Sequence, residues 1–143
     1  MRSRKSTTAA LVVLVFVAAA LALTSVASAK VTRLSATLTG AAEVPKADGG
    51  SASAQINLNP ATGRVCWAFT KIKGIRSPQA AHIHKAPKGK AGAVVVPLGG
   101  AFKAKGCTTA SKTTLRAIVR KPGGYYVNIH TKRFPNGAIR GQL

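Results

Sequence analysis

An all-β sandwich of about seven or eight short strands with one short helix is the fold class this sequence predicts. Three observations predict it. Apolar residues recur at every second position in stretch after stretch, clusters of Gly, Pro and Asn separate those stretches, and a pair of cysteines can staple them together.

The first 29 residues are set apart from the fold. Arg2, Arg4 and Lys5 make a basic start, Leu11 to Leu23 is an apolar run, and Ala27-Ser28-Ala29 supplies a small-residue cleavage pattern. The run is shorter than the roughly 20 apolar residues of a membrane span. Residues 1–29 are therefore expected to be a signal peptide, and residues 30–143 a single exported domain with no transmembrane segment. The expected location is secreted, or in the cell envelope or periplasm.

The strands follow in order. Val31 to Leu38 alternates, with Thr32, Leu34, Ala36 and Leu38 on one side. Thr39 to Gly50 reads as a loop. Ser51 to Leu58 alternates again, placing Ala52, Ala54, Ile56 and Leu58 together, and Asn59-Pro60-Ala61-Thr62-Gly63 turns the chain back. Arg64 to Ile72 carries Val65, Trp67 and Phe69 on one face and Cys66, Ala68 and Ile72 on the other, the pattern of a strand covered on both sides in mid-sheet.

Pro78 leads into Ala80-Ala81-His82-Ile83-His84, whose period of two sends both imidazoles opposite Ala81 and Ile83. Ala93 to Leu98, broken by Pro97, reads as an edge strand. Gly99 to Thr109 shows no rhythm. Leu115, Ile118 and Val119 fall at helical spacing between a Ser111 cap and the Pro122-Gly123-Gly124 stop, which predicts the short helix near 112–121. Two strands close the chain, Tyr125 to Thr131 and Ala138 to Leu143, joined through Asn136-Gly137. In the first of them Val127 and Ile129 face inward, and Tyr126, Asn128 and His130 face away.

At this point several segments become recognisable: Leu38-Thr39-Gly40-Ala41-Ala42-Glu43-Val44-Pro45, Ala81-His82-Ile83-His84, Tyr126-Val127-Asn128-Ile129-His130-Thr131, Phe134-Pro135-Asn136-Gly137 and Ile139-Arg140-Gly141-Gln142-Leu143. Together, and in this order, they resemble the CHRD domain, a module named after chordin that also occurs as a single domain in exported bacterial proteins. The resemblance spans essentially all of the chain after the leader. It implies an extracellular binding module, the animal members being associated with growth-factor binding. The chain departs from the family at Lys46, where a second proline is usual, and at Ala138, where an acid is common. The second departure is expected to remove a salt-bridge partner of Arg140 and a hard ligand near the last hairpin.

Charge bounds the partners. The chain has 22 Lys and Arg against 2 acids, and with three of the bases in the leader the remaining 19 give the domain a net +17. Such a surface attracts polyanions. Lys85, Lys88 and Lys90, with Lys132 and Arg133, are the candidate polyanion contacts, their glycine-rich loop able to expose backbone N–H groups as well. The equal alternative is an ordinary solvated loop. Nucleic acid is not expected, because aromatics for base stacking are few.

The cysteines, Cys66 and Cys107, are expected to form a disulfide outside the cytoplasm. With Glu43 and Asp48 the only acids, the chain has no spare carboxylate pair for acid–base work, and no serine sits in a nucleophile elbow. A non-catalytic protein without a cofactor is expected, recognising an anionic envelope or extracellular polymer or a protein partner. The alternative is a copper or zinc protein, with His82, His84 and His130 as three nitrogen ligands if the last histidine's strand lies beside theirs. His-x-His on a strand is weakly analogous to copper–zinc superoxide dismutase, and the sandwich itself is expected to be immunoglobulin-like or superoxide-dismutase-like. On sequence alone a structural role is preferred, the imidazoles tying a loop to the sheet with Asn128, Tyr126 or the Glu43 loop as partners.

Overall fold

The computed structural model describes residues 30–143, so the leader expected over 1–29 lies outside the described residues. The elements are β1 (Thr32–Thr39), β2 (Ser51–Asn59), β3 (Arg64–Lys73), β4 (Pro78–Lys85), β5 (Ala93–Pro97), β6 (Lys105–Thr109), α1 (Lys112–Arg120), β7 (Tyr125–Thr131) and β8 (Ile139–Gln142). The all-β reading holds. The strands form one antiparallel sheet in the order β5-β4-β7-β8-β1-β2-β3-β6, curled around a single core, whereas the sandwich expected from sequence would have two sheets.

The alternating residues build that core. Leu38, Ile56, Leu58, Val65, Ile83, Val127, Ile129 and Ile139 are all completely shielded from water, each on the inner face of its strand. Burying a side chain of this size contributes roughly 1.5–3 kcal/mol. Leu115 and Ile118 of α1 join them. The helix begins where Ser111 Oγ accepts a hydrogen bond from the Thr114 N–H, an N-cap that satisfies one of the free donors of the first turn. Between β2 and β3, Asn59 Oδ1 accepts from the N–H groups of Ala61 and Thr62, and Gly63 takes the left-handed conformation that closes the turn.

The segment from Leu98 to Ala104 draws the two ends of the sheet together. On one side Leu98 N–H donates to the Ala81 carbonyl and Phe102 N–H to that of Gln79, both in β4. On the other side Phe69 N–H of β3 donates to the Ala104 carbonyl. Phe102 stacks on Phe69 with centroids 5.9 Å apart, and Trp67 Nε1 donates to the Lys103 carbonyl at 2.9 Å. The curl is thus held by backbone pairing as well as by the core.

Two expectations about this end of the sheet are corrected. The stretch read as irregular contains β6, which pairs with β3 in the register Trp67↔Gly106. A Cβ on Gly106 would lie 2.8 Å from the Trp67 ring, so the indole fills the inner face that an apolar side chain would otherwise mark. That is why β6 lacks an alternating pattern. Strand β3, expected in mid-sheet, is next to the edge, and its outer residues Cys66 and Ala68 are half-buried, not covered. The edge position of β5 is as expected.

Cys66 and Cys107 form a disulfide between directly paired residues of β3 and β6. Arg64 reaches across it, Nε lying 3.3 Å from the Cys66 sulfur and Nη2 3.5 Å from that of Cys107. Among the described residues no helix is long and apolar enough to cross a membrane.

Candidate functional site

The strand period puts His82 and His84 on the outer face of β4, and Tyr126, Asn128 and His130 on the outer face of β7. The two strands are neighbours, with His82 opposite Asn128, His84 opposite Tyr126 and Ala80 opposite His130. Arg140 of β8 stands opposite Asn128 on the far side. The condition set from sequence, that the strand of His130 lie beside that of the other two, is met. One nitrogen from each imidazole falls within 4.8 Å of the others.

This outer face is not open to solvent. Tyr126, Asn128, Arg140, Glu43 and His84 are all buried. The β1–β2 loop and the β4–β5 loop lie over it and form a polar second layer. Glu43 sits in the first loop and makes a 2.7 Å ion pair through Oε2 with Arg140 Nε. Gly137 has no side chain because that carboxylate occupies the space: an added Cβ would lie 2.7 Å from Glu43 Oε2. Arg140 also donates through Nη1 to the Lys90 carbonyl at 2.8 Å, and its guanidinium lies over the Tyr126 ring, 4.0 Å from the centroid. The Tyr126 hydroxyl in turn accepts from the Gly92 N–H at 3.3 Å.

Glu43 is therefore engaged with Arg140 and is not a partner of the histidines. With no acid at position 138, Arg140 has its salt bridge to Glu43 of the β1–β2 loop. Sequence reasoning noted both residues but not their pairing, since 97 positions separate them. The one available signal was an elimination: a chain with two acids has few ways to neutralise an arginine on a strand.

The imidazoles have distinct hydrogen bonds. His84 Nδ1 lies 2.8 Å from the Gly92 carbonyl, and His130 Nδ1 lies 2.8 Å from that of Pro135. A carbonyl only accepts, so each Nδ1 carries a proton, and in the neutral ring the lone pair is then on Nε2, an assignment made from the network. His82 Nδ1 lies 3.0 Å from His130 Nε2 and so donates to it. His84 stacks flat on Tyr126, centroids 4.8 Å apart, and its buried Nε2 has no hydrogen-bond partner among the described residues. The Asn128 amide, wholly buried in the same layer, also has none.

The surroundings favour neutral rings. Burial, then the charges of His130 and His84, pushes His82 down to about 4. Burial is also the main cause lowering His84, helped by His130 and Arg140 and opposed by the Gly92 carbonyl and by the polar amide of Asn128, which stands near the ring without meeting hydrogen-bond geometry. At neutral pH both present lone pairs, as a metal ligand must.

The five candidate polyanion contacts do not make one cluster. Lys85 is exposed at the end of β4, and Lys88 and Lys90 are exposed on the β4–β5 loop. Lys88 flanks a groove of about 420 Å³ together with Lys46 and Val44 of the β1–β2 loop. Lys132 borders a different groove, beside His82 and His130. Arg133 is committed to Asp48 at 3.0 Å and lies over the Phe134 ring.

An all-β domain with a buried polar layer on the outside of its sheet, and three histidines at its margin, is the class these observations define. The family model for the CHRD domain matches residues 34–143, and the chain belongs to that family. No curated protein and no solved structure matches the chain.

Proposed function

We propose that this CHRD-domain protein is an exported, non-catalytic binding module, and that it takes a transition-metal ion, copper or zinc, through His82, His84 and His130. One observation carries the reading. His84 and His130 each anchor Nδ1 on a backbone carbonyl, which leaves Nε2 as the nitrogen each can offer an ion, and one nitrogen of every ring lies within 4.8 Å of the others. That is the usual outer-shell arrangement of a metal-bound imidazole, because the anchored N–H sets both the tautomer and the ring plane. Nitrogen sits at about 2.0–2.1 Å from zinc, so the three ligand atoms draw inward on binding and the His82–His130 hydrogen bond gives way to the ion.

The alternative of purely structural histidines explains two of the rings well. It leaves the buried His84 Nε2 without a partner, a cost that ligation removes. The expected leader and the disulfide support export. A single curled sheet around one core supports an immunoglobulin-like or superoxide-dismutase-like arrangement as the finer class of the fold.

Calorimetric titration of the purified protein with Cu²⁺ and Zn²⁺, beside the His82→Ala/His84→Ala variant, is the test. Binding at one ion per chain, micromolar or tighter and lost in the variant, is the expected outcome. Equal binding by both proteins, or none by either, overturns it.

A second reading rests on the basic surface: an anionic envelope or extracellular polymer, or an acidic protein partner, lying along Lys46 and Lys88. The groove that these lysines flank supports it. Retention on a heparin column beyond that of a charge-matched control with a rearranged surface is expected. Elution at the same salt leaves only nonspecific attraction and rejects it.

A further inference from the structure

Resting on the metal reading above, we propose that the ion takes its remaining ligand from a small organic carboxylate with an apolar body, seated in the groove outside His82 and His130.

The position follows from burial. His84, only 7 % exposed, is covered by the β4–β5 loop, to which its Nδ1 is bonded at the Gly92 carbonyl. His82 and His130 instead form part of the wall of an open groove of about 460 Å³. A metal held by all three imidazoles therefore has its free coordination position facing that groove. The volume is within the range of about 300–1,000 Å³ typical of small-molecule sites.

The charge of the ligand follows from an inventory of acids. Imidazole ligands bring no charge to a divalent ion. The chain has only two acids. Glu43 is bound to Arg140, and Asp48 to Arg133. Among the described residues no aspartate or glutamate stands in the histidine cluster to neutralise the ion, in a domain already strongly positive. An external anion does so, and Lys132 at the border of the same groove supplies a second attraction for it.

The apolar body follows from the remaining walls. Ala80, Val94 and Pro135 line the groove, and Val94 is 45 % exposed, one of the few large apolar side chains left in water. A carboxylate on a hydrocarbon or aromatic frame covers these surfaces while its oxygens meet the metal. Inorganic phosphate would set unpaired oxygens against them, which costs free energy.

Cobalt(II), whose visible absorption reports its coordination, is the probe ion, and benzoate the probe ligand. Cobalt-loaded protein titrated with benzoate is expected to change its spectrum saturably, and with inorganic phosphate only at concentrations at least roughly tenfold higher. Lys132→Gln, at an exposed position, is expected to weaken benzoate roughly fivefold, the scale of one exposed charge pair. Failure of the protein to take up cobalt overturns the metal reading itself. Uptake of cobalt with a spectrum indifferent to benzoate overturns the carboxylate proposal alone. Equal response to phosphate, or benzoate binding unaltered by Lys132→Gln, also overturns it, by removing the apolar walls or Lys132 from recognition.

Discussion

Arg140 and Glu43 form an ion pair of 2.7 Å with their side chains 4 % and 1 % exposed, one on the last strand and the other in the loop after the first. The pair ties the β1–β2 loop to the sheet beside the histidines. Glu43 Oε1 makes no hydrogen bond among the described residues, so the pair is not fully satisfied, and a buried pair of this kind is weak evidence for net stabilisation. Removing one member is a different matter.

Glu43→Ala leaves a buried guanidinium with only the Lys90 carbonyl and the Tyr126 ring for company. A loss of about 3–5 kcal/mol is expected, read as a lower urea midpoint. A double variant, Glu43→Ala/Arg140→Met, is expected to recover part of the loss. A single variant as stable as the parent would show that the charge finds water in solution.

Gly137→Ala tests the packing of the same carboxylate. The new methyl overlaps Glu43, and φ at this position is 135°, where side chains are strained. Destabilisation of about 1–3 kcal/mol is expected, and it should shrink in a Glu43→Ala background because the overlapping atoms are gone. Additivity of the two substitutions in a denaturation cycle would refute the contact.

Stability should fall as the solution is acidified. His82 titrates at about 4 in the folded chain against an ordinary value of 6.5. The unfolded chain therefore binds the proton first, and the fold loses stability as pH drops from about 6.5 toward 4. His84, lowered in the same direction, adds to the slope. Chemical denaturation across this window is expected to show a shallower slope in His82→Ala. An unchanged slope would mean the ring is as easily protonated in the fold as out of it.

Zinc should raise the unfolding temperature. A ligand at about a hundred times its Kd adds about 2.7 kcal/mol to the folded state. His84→Ala is expected to abolish the effect, because it removes the one ring whose free nitrogen is buried and unpartnered. Thermal unfolding with and without zinc decides it, and a zinc-dependent rise that survives in His84→Ala would show that the metal sits elsewhere.

Reduction of the disulfide should loosen the β3–β6 edge. The cysteines are 41 positions apart, and on the chain-entropy account closing such a loop contributes roughly 4 kcal/mol. A drop of that order in Cys66→Ser/Cys107→Ser is expected by urea unfolding. A loss below about 1 kcal/mol would show that the ladder alone holds the edge.

By itself the sequence determined what is local. The period of two assigned inner and outer faces to β1, β2, β4 and β7, because a pleat leaves no other choice. Ser111 and Pro122 marked the ends of the helix, and Asn59 and Asn136-Gly137 marked turns, because capping and turn chemistry act within a few residues. It also put the three histidines on one kind of face. Only the tertiary structure decided that His130 meets His82 at 3.0 Å, that β6 exists beneath Trp67, that the strands run as one curled sheet, and that Glu43 crosses to Arg140 instead of to a histidine. Each of these depends on which strands lie side by side. That choice is made by the shared core and the loops lying over the outer face, and periodicity along the chain carries no record of it.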